Sequence, residues 1–372
     1  MPTPFTIAVA DQDVSDLKNR LAATRFPQAL DGVGWDYGME EGFLRKFVAY
    51  WGSEYDWRAA EARLNSFAQF TEVVDGETVH FVHVKGRGTT NVPLLLANGW
   101  PSNFVELLPL VPLLTEPVDG QAFDLIIPSL PGYGFSSQPT VPGMNLSRVA
   151  PLWAEVMTRL GYDKFLVSGS DMGAGAVMAL VRDFPQRLIG AHYVNVYFGF
   201  PKPDDATPEE EAYFERSNYW AFTEGAYAMI QGTKPATLAV GLNDSPAGLA
   251  AWILEKFHSW SDNGGDIANA FEMEDLATIL SVYWFTRTIG SSVRLYKEAF
   301  ADAELPRKPA RHEVPHGIML PLHDNPAPRA WGERNLWNIV RWNELSAGGH
   351  FPALELPEEM ARDIRAFHRQ IA

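Results

Sequence analysis

An acidic residue stands at the centre of a short segment flanked by glycines. The segment Gly-Ser-Asp-Met-Gly at 169–173 places Asp171 where segments of the form Gly-x-Ser-x-Gly carry a nucleophilic serine. It follows the apolar run 164–168 and precedes a series of small residues, which indicates a sharp turn from strand to helix. A carboxylate is already an anion at neutral pH. Asp171 is therefore predicted to be a nucleophile, and a helix-capping aspartate is the alternative.

A second segment could stabilise negative charge beside that nucleophile. Residues 98–101, Asn-Gly-Trp-Pro, follow another apolar run. A loop in this place supplies one backbone N–H to an oxyanion hole, and the residue after the nucleophile supplies the other. The predicted donors are the N–H groups of Trp100 and Met172. Taken alone, the segment is better explained as a simple Gly-Pro turn.

A histidine near the end of the chain is the candidate general base. His350 follows two glycines and precedes the last helical pattern, and among the nine histidines it is the one so placed. Nucleophile, acid and histidine in this chain order are one arrangement of a catalytic triad. A single histidine is more often a surface residue, so the prediction depends on its conjunction with Asp171.

The elements that must position these groups fall into four zones. Residues 76–196 alternate short apolar runs with helical patterns, which predicts an α/β fold with a mostly parallel sheet covered on both faces. Residues 197–305 lack strand patterns, are rich in aromatic residues and are predicted to form a helical cap inserted after the sixth strand. Residues 306–372 return to the α/β pattern. Residues 1–75 carry helical stripes and loops, and are predicted to be an N-terminal extension lying on another domain.

Capping and turn residues give the expected bounds. Helix starts are predicted at Asn145, at Asp244 or Ser245 followed by Pro246, and at Pro357, and a helix end at Gly161. Strands are predicted at 92–97, 124–127, 164–168, 189–196, 312–316 and 338–342.

Composition excludes several functions. The net charge of −16 is spread along the chain without a basic cluster, which argues against nucleic acid as a partner. No apolar run is long enough for a membrane anchor and no signal peptide is seen, so a cytoplasmic protein is expected. The absence of cysteine excludes disulfides, thiolate nucleophiles and cysteine-ligated metals. The 12 Trp and 22 Phe fit a deep apolar pocket or a large aromatic core.

Over nearly its whole length the sequence resembles the microsomal-type epoxide hydrolases of the α/β-hydrolase superfamily. It departs from their pattern at Asn98, where His is usual, and at Met172, where Trp is common. The segments that carry the resemblance are YDWRAAEARLNSFAQFTEVVDGETVHFVHV, NGWP, GSDMG, TKPATLAVGLNDSPAGLAAWILEKF, YWFTRTIGSSVRLYKE and GGHFPALELPEE.

The resemblance implies a small-molecule epoxide and water as reactants, with no cofactor and no metal. Asp171 would open the epoxide by in-line displacement and form an alkyl ester. His350 would then activate the water that hydrolyses this ester, while the oxyanion hole holds the tetrahedral intermediate. Asp324 matches the acid that orients the histidine, ahead of Glu344, and Glu313 is also weaker.

The resemblance also assigns two cap tyrosines, Tyr227 and Tyr296, as hydrogen-bond donors to the epoxide oxygen. A phenol can donate while it stays neutral at pH 7, although packing is the alternative role for each ring. Two other functions stay open. One is a haloalkane dehalogenase, which needs halide-binding donors, often a Trp where Met172 stands. The other is a non-hydrolytic binding or biosynthetic protein. The sequence leaves open the particular epoxide and the oligomeric state, a homodimer included.

Overall fold

The computed structural model describes the chain in five ranges: 2–28, 30–195, 201–304, 313–336 and 338–372. Within them, nine strands form one sheet. The strands are β1 (Thr3–Phe5), β2 (Gln69–Val74), β3 (Glu77–Val84), β4 (Thr90–Ala97), β5 (Gln121–Pro128), β6 (Phe165–Gly169), β7 (Leu188–Val194), β8 (His316–Leu320) and β9 (Ile339–Glu344).

The helices cluster at the start of the chain, between the strands, and in one long block after β7. They are α1 (Asp11–Ala22), α2 (Glu41–Ser53), α3 (Trp57–Asn65), α4 (Leu110–Thr115), α5 (Leu146–Arg159), α6 (Asp171–Asp183), α7 (Pro208–Thr223), α8 (Ala226–Thr233), α9 (Pro235–Asp244), α10 (Pro246–Ser259), α11 (Met273–Thr286), α12 (Ile289–Phe300), α13 (Arg329–Asn335), α14 (Pro352–Glu355) and α15 (Pro357–Ile371).

The sheet is mostly parallel and has the order β1-β2-β3-β5-β4-β6-β7-β8-β9. In this order, each strand from β5 onwards pairs in parallel with the next one. The strands β1, β2 and β3 lie at one edge, and their pairs, including that of β3 with β5, are antiparallel. Central strands such as β5 and β6 are buried along almost their whole length instead of alternating. Such runs are expected where helices cover both faces, and α5 packs on α6 while α4 packs on α15. The α/β fold class is confirmed.

Two parts of the sheet differ from the sequence prediction. The strand predicted at 312–316 is wrong in position, because β8 begins at His316; residue 312 lies outside the described residues, as does Val196 at the end of another predicted strand. Pro315 cannot donate to a sheet, and Gly317 interrupts the apolar pattern of the true strand. Gly317 is needed there, because a Cβ would lie 2.7 Å from the Phe367 ring.

The second difference is strand β2, which lies within residues 1–75, a stretch predicted as helices and loops, and forms a hairpin with β3. The two strands pair antiparallel across Asp75 and Gly76, which both have positive φ. Asp-Gly between apolar strands is a strong hairpin signal, so the sequence did contain it.

Most predicted helix caps are confirmed. The Asn145 side chain accepts from the N–H of Arg148 at 3.0 Å at the start of α5. Ser245, rather than Asp244, accepts from the N–H of Gly248 at 3.0 Å and caps α10. Pro357 begins α15.

Helices α7 to α12 lie between β7 and β8, after the sixth strand counted from β2, and we call them the cap. The segment from α1 to α3, which we call the strap, packs on cap helices α10 and α11. The indole N–H of Trp51 donates to Ser281 Oγ at 2.9 Å, and the hydroxyls of Tyr55 and Thr278 are 3.0 Å apart. In the described ranges no helix combines the length and the apolar character that a membrane span requires.

Candidate active site

Asp171 occupies the turn between β6 and α6 with a φ of 48°, a conformation that is strained for a residue other than glycine. The two flanking glycines permit this turn. A Cβ on Gly169 would lie 2.8 Å from the Gly173 carbonyl, and a Cβ on Gly173 would lie 2.6 Å from the Ala97 carbonyl. The close packing of α6 against β4 and β6 therefore requires glycine at both positions, and it lifts the carboxylate to the carboxyl edge of the sheet.

The loop after β4 lies directly against this carboxylate. The N–H of Trp100 donates to Asp171 Oδ1 at 2.9 Å. A Cβ on Gly99 would overlap Asp171 Oδ1 and would lie 2.6 Å from the Met172 amide nitrogen. Gly99 thus lies beside both predicted oxyanion donors, the N–H groups of Trp100 and Met172. Asn98, in the place of the usual histidine, is buried and donates to the Gly99 carbonyl at 3.1 Å, within the loop itself.

Three side chains predicted from distant parts of the sequence meet at this point. His350 Nδ1 lies 3.1 Å from Asp324 Oδ1, and His350 Nε2 lies 3.6 Å from Asp171 Oδ2. Glu344, the second choice for the acid, is exposed at the end of β9 and accepts from the Trp342 indole. The structure therefore pairs the histidine with Asp324.

The charge on the histidine is set by competing effects. Burial lowers the pKa of His350, but the carboxylates of Asp324 and Asp171 outweigh burial and hold it well above its usual value. The imidazolium form is therefore favoured while both acids are ionised.

Asn195 fixes the acid and was not recognised from the sequence. It follows β7, and its side-chain amide donates to Asp324 Oδ2 at 3.1 Å and also to the Asp324 backbone carbonyl. The sequence feature that could have indicated Asn195 is its place as a polar residue directly after the apolar strand β7. These bonds hold Asp324 with its other carboxylate oxygen toward His350.

The loop that carries the histidine is held by a half-buried carboxylate. Glu355 accepts from the N–H of Gly349 at 2.9 Å and from the N–H of Phe351 at 2.8 Å. On the cap side, the N–H of His350 donates to the carbonyl oxygen of Trp260 at 2.7 Å. Both neighbours of His350 in the chain are thus fixed, which limits the positions that its ring can take.

The two predicted tyrosines lie together in the cap. Tyr227 on α8 and Tyr296 on α12 are buried, with their hydroxyl oxygens 3.5 Å apart. Trp100 stacks on Tyr227 with ring centres 5.2 Å apart and meets Tyr296 edge-on at 5.9 Å. Since the N–H of Trp100 also bonds Asp171, one residue links the carboxylate to both phenols. Burial raises the pKa of each phenol, and the Asp171 charge adds to that rise, so both are neutral donors at pH 7.

Two further residues of the site were missed. Trp260 lies between the histidine and a tyrosine, with its ring centre 5.1 Å from that of His350 and 4.9 Å from that of Tyr227.

Glu106, in the short 3-10 helix Phe104–Leu107, is only 3% exposed, and burial raises its pKa to about 7. One feature of the sequence indicated Glu106, namely that this glutamate lies inside the apolar run that follows the Asn-Gly-Trp-Pro segment. Among the described residues, no cluster of His, Asp and Glu is arranged to hold a metal ion.

Two family descriptions match the sequence. "Epoxide hydrolase N terminus" matches residues 2–107, which include the strap and the loop beside Asp171. "Alpha/beta hydrolase fold" matches residues 92–245, from β4 into the cap.

Individual relatives match nearly the whole chain. Epoxide hydrolase 1 of Sus scrofa is 34% identical over 98% of this chain and 88% of its own length. The crystal structure of juvenile hormone epoxide hydrolase from Bombyx mori superposes with a TM-score of 0.88 at 32% identity, covering 100% of this chain and 94% of that one. The epoxide hydrolase structure of Aspergillus niger also gives 0.88, at 30% identity, covering 100% and 97%. The chain therefore belongs to the epoxide hydrolases, a family of hydrolases built on the α/β-hydrolase fold.

Proposed function

We propose that this protein converts an epoxide to a vicinal diol through a covalent alkyl ester on Asp171. The observation that carries the proposal is the position of this carboxylate. Its Oδ1 accepts from the N–H of Trp100, while its Oδ2 faces His350 Nε2 at 3.6 Å. The similarity to named epoxide hydrolases supports the same reaction class.

In the first step the carboxylate opens the ring. Asp171 Oδ2 attacks an epoxide carbon, the carbon–oxygen bond breaks, and its electron pair goes to the ring oxygen. Tyr227 and Tyr296 hold that oxygen and one of them transfers its proton, which leaves a phenolate. Because Oδ1 is already bonded to Trp100, it becomes the carbonyl oxygen of the ester in the oxyanion hole.

In the second step water cleaves the ester. His350 takes a proton from water, and the resulting hydroxide attacks the carboxyl carbon of Asp171. The N–H groups of Trp100 and Met172 stabilise the charge on Oδ1, and Asp324 stabilises the imidazolium. Collapse of the tetrahedral intermediate transfers the His350 proton to the departing alkoxide and releases the diol. The remaining carboxyl proton returns through water to the phenolate, which restores the starting state.

The tyrosine pair favours an epoxide over a haloalkane as the substrate. Halide release needs no proton donor, whereas an opening epoxide develops an alkoxide beside the attacked carbon. Met172 lacks the indole N–H that halide-binding sites often use at that position.

Isotope labelling tests the covalent step. In a single turnover with excess enzyme in ¹⁸O-water, we expect one labelled oxygen in the Asp171 carboxylate and an unlabelled diol, measured by peptide mass spectrometry. Label in the diol alone would mean direct attack by water and would overturn the proposal.

A matched pair of variants tests the division of roles. His350→Gln should still form the ester and accumulate it as a stable mass adduct, because it lacks the base for hydrolysis. Asp171→Asn should form no adduct. Intact-protein mass spectrometry that finds no adduct on His350→Gln would contradict this order of steps.

A further inference from the structure

A buried lysine lies beside the cap tyrosines. Lys256, on α10, is only 7% exposed. Its ammonium nitrogen lies 5.2 Å from the ring centre of Tyr227 and 5.7 Å from the ring centre of Trp260. Lysine is rarely this buried, and a cation within about 6 Å of an aromatic face is attracted by the ring. The cation is therefore held over the ring of a proposed proton donor.

Two acidic side chains lie near this ammonium group inside the cap. Glu255, the preceding residue on α10, forms an ion pair with Lys256. Glu224, which follows α7, has a pKa raised by burial, and the charge of Lys256 opposes that rise. The ammonium group of Lys256 is thus ion-paired with Glu255 on one side and lies over the Tyr227 ring on another.

The other groups around Tyr227 work against proton donation. Burial and the charges of Asp171, Asp324 and Glu224 all raise the pKa of this phenol, and the hydroxyl of Tyr296 partly opposes them. A phenol surrounded by carboxylates forms a phenolate at high cost, because like charges repel in a poorly solvated site. A positive charge on the ring lowers that cost.

We propose that Lys256 is a positioning residue for ring opening, and that its ammonium group on the Tyr227 ring stabilises the phenolate that forms when this tyrosine protonates the epoxide oxygen. The proton moves from the Tyr227 hydroxyl to the ring oxygen as its carbon–oxygen bond breaks, and Lys256 neither gains nor loses a proton. The inference rests on the proposed function and adds the identity of the tyrosine that transfers the proton, Tyr227 rather than Tyr296.

Removing the charge tests the role directly. Lys256→Met keeps the length of the side chain, and we expect it to slow alkylation of Asp171 about tenfold. Lys256→Arg keeps a cation and should retain most of the rate. Hydrolysis of the preformed ester should be unchanged in both, because Tyr227 acts in the first step. Lys234→Met, an exposed lysine after α8, is the matched control and should alkylate at the wild-type rate.

A double substitution separates an electrostatic role from a structural one. If Lys256 acts through the phenol hydroxyl, Lys256→Met should cost no further alkylation rate in a Tyr227→Phe protein. A lysine that only packs would slow both backgrounds by the same factor, and that outcome would overturn the proposal. Should Lys256→Met unfold, Lys256→Gln provides the same comparison, with thermal melting as the check on folding.

Failure of this inference is distinguishable from failure of the proposed function. If Tyr227→Phe is slow but Lys256→Met alkylates like wild type, Lys256 has no role and the function stands. If Asp171 takes up no label in ¹⁸O-water, the function itself fails.

Discussion

His350 lies between two carboxylates that have different fates in the proposed reaction. Both raise its pKa in the free protein. Ester formation removes the negative charge of Asp171, so the pKa of His350 falls, and the imidazolium releases its proton to solvent before the step that needs a neutral base; it takes a proton up again when Asp171 is restored as a carboxylate. Only the neutral imidazole can accept a proton, and this form predominates at a pH above the pKa of His350. The first step thus prepares the base for the second.

Histidine NMR can measure this change. In Asp171→Asn, which mimics the uncharged ester, we expect the His350 pKa to fall relative to the wild-type protein, because one of the two carboxylates that raise it is gone. Asp324→Asn should lower it as well and should also slow turnover, because the ring loses its orienting partner. Equal His350 titration curves in wild type and Asp171→Asn would contradict the account.

The two phenols are tested by removing their hydroxyls. Tyr227→Phe and Tyr296→Phe should each keep the fold and slow alkylation by about 10²–10⁴, the loss typical of general acid catalysis. Tyr219→Phe, which changes a 70% exposed tyrosine on α7, is the control. Pre-steady-state alkylation gives the rates. Wild-type rates in both buried variants, together with chloride release from a chloroalkane, would favour the dehalogenase alternative.

Among the elements, the contact of α6 with β4 sets the position of Asp171, the proposed nucleophile. Gly173→Ala should destabilise the protein by about 1–3 kcal/mol, because a methyl group has no room against the Ala97 carbonyl. Gly241→Ala in α9 is the matched control, since nothing lies within 4 Å of its added Cβ. It should be stabilising by up to about 1 kcal/mol. Urea denaturation measures both, and an unchanged midpoint for Gly173→Ala would show that the packing can relax.

The success of sequence prediction differed between elements for physical reasons. Strands such as β4 and β6 were predicted because their apolar runs are continuous and end in glycine or small residues. β8 was misplaced because its buried His316 stacks on Tyr193 of β7 and its Gly317 lies against Phe367 of α15, and no local pattern shows these contacts. Asp324 was found through the family pattern, whereas Asn195 escaped notice, because its role depends on two loops meeting across β7 and β8.

At the scale of the whole molecule, the strap holds the cap. Trp51 is 1% exposed and contacts a residue 230 positions away, so neither its partner nor the path of the strap could be predicted from local sequence. Trp51→Ala should cost about 3–5 kcal/mol, since it leaves a large cavity and unpairs Ser281.

Hydrogen–deuterium exchange can locate that loss. In Trp51→Ala we expect faster exchange in α2 and α11, with β4 and β6 still protected, because the strap packs on cap helices α10 and α11. Phe222→Ala removes an 88% exposed ring from the cap and should change neither exchange nor stability. Uniformly faster exchange throughout the sheet would mean that strap and core unfold as one unit.

The N–H of His350 donates to the carbonyl oxygen of Trp260, the residue that follows α10. A side chain on the neighbouring Gly349 would overlap that carbonyl, so the two backbones are in direct contact. Any outward movement of the cap at this point would have to break this hydrogen bond. In the proposed mechanism the position of the base therefore depends on a contact from the cap as well as on Asp324, since α10 ends against the loop that carries His350.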